Sequence, residues 1–505
     1  MNPRTAAVLF VIAAALGAFV YFYEIRGAEQ RKEAEQVAKQ LFSGVKAEQV
    51  HEIVLETTDG KSARLIRQEG HWVLVEPLAF PADETKSDGL ASSLAQLSSE
   101  KVIEAAQAPE VYGLGDGARR IYFKTQDAAY EVWIGDKTPV GASSYAKTGD
   151  SDAIYTIESY KATSLTASLD DLREKRPLRF DHGSVQEIVV SWPEGRVRLR
   201  EHAGEWVLAE PIDDRGDSHT VNELLSTLSF LRADAFMDEP PADSEVGLDK
   251  PYFTVELQLK PSSGEEGGGR RLALTVGGSV LGGDFRALRG QESSLYKVSV
   301  QKLADLPRRI VDYRYKTLAA FSGSDVKSFE MTFQPQQSSA EEPPKVRGEQ
   351  REGEWVTSPE RMKAGAAARL VTELSDLRAA DIAADAMGEK ELAAIGLSPP
   401  AVVLRVYGAQ PETGAAPLFA EIHLGNVDAG GIYARASDQE RVYRLESGAA
   451  EYLPVSFEAF QELFVEKEGE AGPVLEPLVE PPAPARELFP ADGVDAAPSN
   501  SNSAE

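Results

Sequence analysis

Gly70-His71-Trp72-Val73-Leu74-Val75-Glu76-Pro77 returns as Gly204-Glu205-Trp206-Val207-Leu208-Ala209-Glu210-Pro211 and, more loosely, as Gly353-Glu354-Trp355-Val356-Thr357-Ser358-Pro359. One short likeness proves little in a long chain, so the reading depends on what accompanies each copy. Beyond each tryptophan, leucines recur at i, i+4 and i+7: Leu90, Leu94 and Leu97, then Leu224, Leu228 and Leu231, then Leu370, Leu374 and Leu377. That spacing is one face of a helix. A Gly-Leu pair follows (Gly113-Leu114, Gly247-Leu248, Gly396-Leu397), then an alternating run ending at Gly135, Gly277 or Gly425. Each copy closes with Tyr145-Ala146-Lys147, matched to Phe285-Arg286-Ala287 and Tyr433-Ala434-Arg435, and then with Ile154-Tyr155, Leu295-Tyr296 or Val442-Tyr443. The same order three times implies three tandem copies of one module.

Upstream of Trp72, alternating residues 50–57 and 63–67 flank Asp59-Gly60, a strong hairpin signal. The tryptophan strand is then the third strand of a meander, and the leucine face lies on the sheet. The expected fold is α+β: three tandem repeats of a mainly antiparallel β-sheet module with a packed helix, preceded by one transmembrane helix. Repeat one is assigned to residues 45–180, closing with a helix near 161–172, repeat two to 181–321 and repeat three to 322–464. Residues 465–505 turn to Glu, Pro, Ala and Ser and read as a disordered acidic tail.

A chain of 505 residues exceeds what one core organises, and 42% hydrophobic with 27% charged residues suits folded domains. A net charge of -28 argues against a nucleic-acid partner, because phosphate contacts need clustered Lys and Arg. Without cysteine there is no disulfide framework and no thiolate chemistry. Residues 6–25 carry one charge, Glu24, and at 1.5 Å per residue would span about 30 Å, so 1–26 read as a transmembrane signal-anchor with Tyr21, Phe22 and Tyr23 at the interface. Residues 27–44, rich in Ala, Glu, Gln and Lys, read as a helical stalk. The Lys and Arg count by itself would keep the body cytoplasmic, whereas the short basic leader has the form of an export signal. The reading adopted is an extracytoplasmic body.

The copies are an internal control, since a feature present in all three is explained by the fold. Gly113-Leu114-Gly115-Asp116-Gly117 resembles a phosphate loop, but its counterparts keep only the first Gly-Leu, which leaves a turn. Trp72, Trp206 and Trp355 are core candidates. Trp133 and Trp192 have no counterparts and are candidates for a contact surface. Two basic clusters stand out, Arg173, Lys175, Arg176 and Arg179, then Arg308, Arg309, Arg314 and Lys316. Arg173, Arg176, Arg308 and Arg309 either grip lipid head groups or an acidic partner, or cap a last helix and pair with acidic neighbours. The six histidines show no metal-ligand spacing, no carboxylate pair is singled out, and no Gly-x-Ser-x-Gly elbow occurs. No catalytic residue, metal or cofactor is assigned.

The anchor, the Gly-x-Trp strand with its proline, the leucine-faced helix, Tyr112-Gly113-Leu114, Ile134-Gly135 and Tyr145-Ala146-Lys147 together resemble the bacterial family called domain of unknown function 4340. The resemblance reaches from the anchor to about residue 464 and is clearest in repeats one and two. It implies a single-pass protein of the bacterial inner membrane, accessory to ABC-2-type transporters related to gliding motility, in a family without an established activity. The expected function is therefore a membrane-tethered, non-enzymatic scaffold or auxiliary subunit that contacts transporter or other envelope proteins. The alternative is an extracytoplasmic binding protein for a glycan or peptide, and the third reading is an envelope hydrolase.

Overall fold

The computed structural model describes residues 39–103, 107–261, 269–334, 342–411 and 413–466. The expected transmembrane helix, most of the stalk and the tail lie outside these residues. Among the described residues no helix is long and apolar enough to cross a membrane. The chain forms two compact units, Met1–Arg314 and Tyr315–Glu505. The described residues are α+β and mainly β, with four antiparallel sheets and few helices.

Sheet one comprises β1 (Glu52–Glu56), β2 (Ser62–Gln68), β3 (His71–Glu76), β4 (Phe80–Pro81), β5 (Lys101–Val102), β6 (Arg119–Lys124), β7 (Ala129–Lys137), β8 (Ser143–Thr148) and β9 (Ile154–Glu158). Its spatial order is β4-β3-β2-β1-β6-β7-β8-β9-β5. Helix α1 (Glu84–Ala95) covers one face, and the short α2 (Ser159–Ser164) follows β9. Sheet two repeats this with β10 (Val185–Trp192), β11 (Gly195–His202), β12 (Glu205–Glu210), β13 (Asp214–Arg215), β14 (Ala235–Met237), β15 (Phe253–Leu259), β16 (Arg271–Val276), β17 (Phe285–Arg289) and β18 (Leu295–Ser299), with α3 (Ser218–Phe230) and α4 (Asp243–Val246). Its order, β13-β12-β11-β10-β15-β16-β17-β18-β14, is that of sheet one.

In the second unit β19 (Thr317–Ala320) pairs with β23 (Asp376–Arg378). Sheet three holds β20 (Ser328–Phe333), β21 (Lys345–Arg351), β22 (Glu354–Ser358), β24 (Asp381–Ala384), β25 (Val402–Tyr407), β26 (Leu418–Asp428), β27 (Gly431–Ala436) and β28 (Val442–Leu445). Its order is β22-β21-β20-β25-β26-β27-β28-β24, and the helices are α5 (Ala366–Ser375), α6 (Glu389–Ala394) and α7 (Phe457–Phe464).

The recurring stretch has a local cause. A two-residue hairpin turn joins the second and third strands of each sheet, and both turn residues have positive φ: Glu69 and Gly70 (51° and 88°), Ala203 and Gly204 (53° and 88°), Glu352 and Gly353 (53° and 89°). That is the I′ geometry which suits the twist of the flanking strands and which glycine adopts without steric cost. The proline ending each stretch follows a cis peptide bond in all three copies. Asp83 and Asp217 then cap α1 and α3, accepting from the N–H groups of Lys86 (2.9 Å) and Thr220 (2.8 Å), whereas Gly365 gives α5 no side-chain cap. All nine recurring leucines are buried, though the third of each set, Leu97, Leu231 or Leu377, lies just past the helix end.

Three local expectations need correction. The register places Ala146 opposite Tyr155, Leu288 opposite Tyr296 and Ala434 opposite Tyr443, so Tyr145-Ala146-Lys147 corresponds to Ala287-Leu288-Arg289 and not to Phe285-Arg286-Ala287. The likeness of Phe285 to Tyr145 misled, although Leu288 lies as far beyond Gly277 as Ala146 beyond Gly135. The helix expected over 161–172 is only α2, because the Thr163, Ser164 and Thr166 hydroxyls bond nearby carbonyls at 2.9, 2.8 and 2.6 Å and compete with helical continuation. Residues 39–44, expected to belong to a solvated stalk, pack on the first sheet module instead. Leu41 donates its backbone N–H to Leu97 at 2.8 Å, and the buried Phe42 packs edge-on against Phe123 with ring centroids 4.9 Å apart.

The repeats also interlock. Ser99 donates its N–H to the Lys39 carbonyl, Ala233 to that of Lys175 and Ala379 to that of Lys316, each at 2.8 Å. The closing segment of repeat one is thereby the opening segment of repeat two. One apolar core runs through both, from Phe42 to Tyr313, and the second unit has its own from Leu318 to Phe464.

Candidate functional site

The glycine motif that resembled a phosphate loop is occupied by backbone packing. Gly113, Gly247 and Gly396 sit at φ near +70° (71°, 74° and 72°), ending a short helical turn in each repeat. A Cβ on Gly135, Gly277 or Gly425 would lie 2.2, 2.2 or 2.4 Å from the carbonyl oxygen of Tyr112, Val246 or Ile395. Each second glycine thus lets a strand touch the turn made by the first. Gly135→Ala is expected to destabilise by about 1–3 kcal/mol through overpacking. Gly117→Ala, whose Cβ would meet nothing within 4 Å, should stay within about 0.5 kcal/mol in the same denaturant titration.

The arginine candidates do not come together. Arg173 has no exposed side-chain surface. Its Nη1 and Nη2 donate to Asp238 at 2.9 and 2.8 Å, Asp170 lies at 3.6 Å, and Phe80 and Phe236 stand 5.5 and 4.8 Å from the guanidinium. Asp238 also accepts from Ser294 at 3.0 Å. Burial raises the Asp238 carboxyl, but the bonds and charge of Arg173 outweigh it and hold the group below its ordinary value. Burial dominates at Asp170, whose carboxyl is raised. Since Arg173 belongs to repeat one and Asp238 to repeat two, the pair fastens the two repeats, and a buried guanidinium cannot reach a lipid or an outside partner. Arg176 clasps the buried Glu174 at 2.6 Å, Arg308 lies 4.2 Å from the Tyr252 ring centroid, and Arg309 pairs with Asp312 at 2.6 Å. Trp192 is buried on Tyr313, ring centroids 6.3 Å apart, and so is a core residue.

Trp133 is different. It is half-buried on the face of sheet one turned away from the helix, with the Arg120 guanidinium 4.0 Å and the Lys147 ammonium 5.8 Å from its centroid. Its indole N–H donates to Glu131 at 2.5 Å, and a hydrogen bond to Glu131 also raises the phenol of Tyr122 above its ordinary value. Beside this cluster a shallow groove of about 550 Å³ is lined by Val54, Glu56, Ser62, Asp116, Arg120 and Tyr122.

Register shows what the other copies carry here. Arg120 faces Trp133 across the ladder, where sheet two has Thr254 and Thr275 and sheet three has Val403 and His423. Cross-strand ion pairs are common to all three sheets: Glu52 with Arg64 and Lys124 (2.9 Å each), Glu187 with Arg198 (3.1 Å) and Arg200 (2.8 Å), Arg405 with Glu421 (2.6 Å) and Arg347 with Glu330 (3.0 Å), so the aromatic cluster and not the ion pairs sets sheet one apart. Sequence reading found Trp133 but missed Arg120, Tyr122 and Glu131. The available signal was the i, i+2 spacing of Arg120 and Tyr122, which puts both on one face of a strand. Among the described residues no three His, Asp or Glu side chains converge as a metal site.

A family model described as a domain of unknown function (DUF4340) matches residues 72–251 and again 206–400, beginning at the same tryptophan of successive repeats. No curated protein and no solved structure matches the chain.

Proposed function

The chain belongs to the family described as a domain of unknown function (DUF4340), and from its own surfaces we propose that it is a membrane-tethered, non-enzymatic scaffold that holds a protein partner on the outer face of sheet one. The observation that carries this is the Trp133, Arg120 and Tyr122 cluster, which neither other repeat reproduces and which the shared fold therefore does not require. Trp, Tyr and Arg are the residues that dominate binding energy at protein interfaces. The tether is the apolar stretch 6–25, and the partner is a subunit of an ABC-2-type exporter, as the family resemblance implies. On this reading the body is extracytoplasmic, and protease added to spheroplasts should digest it.

The test is crosslinking in membranes from a photoreactive residue at Ser62, on the groove wall. Arg120→Glu and Trp133→Ala should each lower partner recovery at least tenfold, about 1.4 kcal/mol, while Arg120→Glu leaves the melting temperature unchanged. Equal recovery from both variants would remove sheet one from the interface. The groove favours a second reading, binding of a glycan or peptide. It predicts that Arg120→Glu abolishes a melting shift caused by cell-wall fragments, with no crosslinked protein recovered.

A further inference from the structure

Of the four arginines singled out in the sequence, Arg308 alone has no carboxylate partner. Its guanidinium stands over the Tyr252 ring, 4.2 Å from the centroid, and the Arg286 guanidinium stands 4.1 Å from the same centroid. Two cations thus share one ring. Arg286 donates Nη1 to the carbonyls of Gly277 and Gly278 at 2.9 and 2.5 Å, which fixes its position. Its remaining N–H groups and the whole Arg308 guanidinium have no acceptor among the described residues, and neither arginine has a carboxylate of those residues within 4 Å. Burial lowers the Arg286 guanidinium from its ordinary value, and the charge of Arg308 adds to that lowering.

The shared fold does not call for this arrangement. Tyr252 precedes Phe253, which lies opposite Val276, and the same place in repeat one, before Arg119 opposite Ile134, is held by Ala118. Arg286 lies opposite Val298, where repeat one has Ser144 opposite Ile157. Arg308 comes six residues before the bridging Arg314, and Ala167 comes six before the bridging Arg173. Three small residues therefore complete the same fold in repeat one. The ring attracts each cation through its quadrupole but neutralises neither. In a chain with 81 Asp and Glu against 53 Lys and Arg, carboxylates are plentiful, so leaving both of these arginines without one sets the place apart.

We propose that Arg286 and Arg308, held together by Tyr252, bind the phosphate group of a phosphate monoester. Guanidinium N–H groups form a fork that matches phosphate oxygens. A monoester carries about −1.5 to −2 charges at pH 7 and so balances two cations, which a single carboxylate does not. The net charge of −28 does not oppose this, because at physiological ionic strength charges are screened beyond about 8 Å and the local pair governs. The site lies on repeat two and does not depend on the partner-binding reading of sheet one.

Calorimetric titration of the full chain in a non-ionic detergent with glycerol 3-phosphate, at constant ionic strength, tests it. Saturable binding of one ligand per chain is expected, with the affinity lowered at least tenfold by Arg308→Gln and by Arg286→Gln. Arg308 is exposed, so its change should leave the melting temperature where it was. Arg309→Gln, which alters the neighbour already paired with Asp312, should leave the affinity unchanged. Short-chain phosphatidic acid separates the two sources of such a group: Arg308-dependent binding at least tenfold tighter than that of glycerol 3-phosphate marks a lipid head group, and equal affinity marks a soluble ester. No saturable binding of either ester, or equal affinity in wild type and Arg308→Gln, would overturn the proposal. So would glutarate binding as tightly as glycerol 3-phosphate, because the pair would then be reading carboxylates.

Discussion

Leu94→Asp is expected to unfold repeats one and two together. Leu94 is fully buried where α1 meets sheet one, and the apolar core it belongs to continues without a break to Tyr313 in repeat two. The substitution removes a buried leucine, about 1.5–3 kcal/mol, and adds a carboxylate that must stay protonated or draw in water, several kcal/mol more. Against a typical stability of about 5–15 kcal/mol for a whole domain, that is decisive. Ser93→Asp, one position round the helix and half-buried, should shift the transition only slightly. Hydrogen exchange reads the outcome repeat by repeat. Retained protection in β10 and β15 of the Leu94→Asp protein would show that the two repeats hold together less tightly than their common core implies.

Asp238→Ala should also destabilise the protein, for an electrostatic reason. It leaves the buried Arg173 guanidinium with Asp170 at 3.6 Å as its remaining carboxylate. Removing one partner of a fully buried pair costs about 3–5 kcal/mol, and the cost here is smaller because Asp238 itself is exposed and water can enter the place it leaves. Replacing both, as Arg173→Met with Asp238→Leu, should cost less than the single change. The pair also sets an acid limit. Asp238 has a folded pKa below its unfolded one, so its stabilisation is complete above the ordinary carboxylate range and is lost as pH falls through the lowered value. Asp170, raised by burial, has the opposite sign and is relieved by protonation, which blunts the loss. Urea midpoints measured from pH 6 downward should therefore fall more steeply for wild type than for Asp238→Asn, and parallel curves would place the acid sensitivity elsewhere.

The parts of this architecture legible in the sequence are those with a short-range cause. The I′ turn demands glycine at Gly70, Gly204 and Gly353, the helix demands leucine every third or fourth residue, and close backbone contact demands Gly135, Gly277 and Gly425. Three repeats of each demand made the order of elements visible. Long-range causes left no such trace. Arg173 and Asp238 meet only because β14 is laid against the end of repeat one, so Arg173 looked like a surface cation. Trp192 has no counterpart in the other copies and reads in the sequence as a candidate contact residue, although its ring serves the core of repeat two through Tyr313. The cluster around Trp133 depends on cross-strand register: i, i+2 spacing groups Arg120 with Tyr122 on their own strand but does not say that Arg120 faces Trp133.

The overlap at Lys39, Lys175 and Lys316 defines the piece of chain that can be copied. An in-frame duplication of residues 39–174 would restore every carbonyl that Ser99 and Ala233 use, whereas a cut at residue 180 would strand the accepting Lys175 carbonyl on the wrong side. Gene-level growth or loss of these arrays should therefore proceed in steps that begin at the lysine.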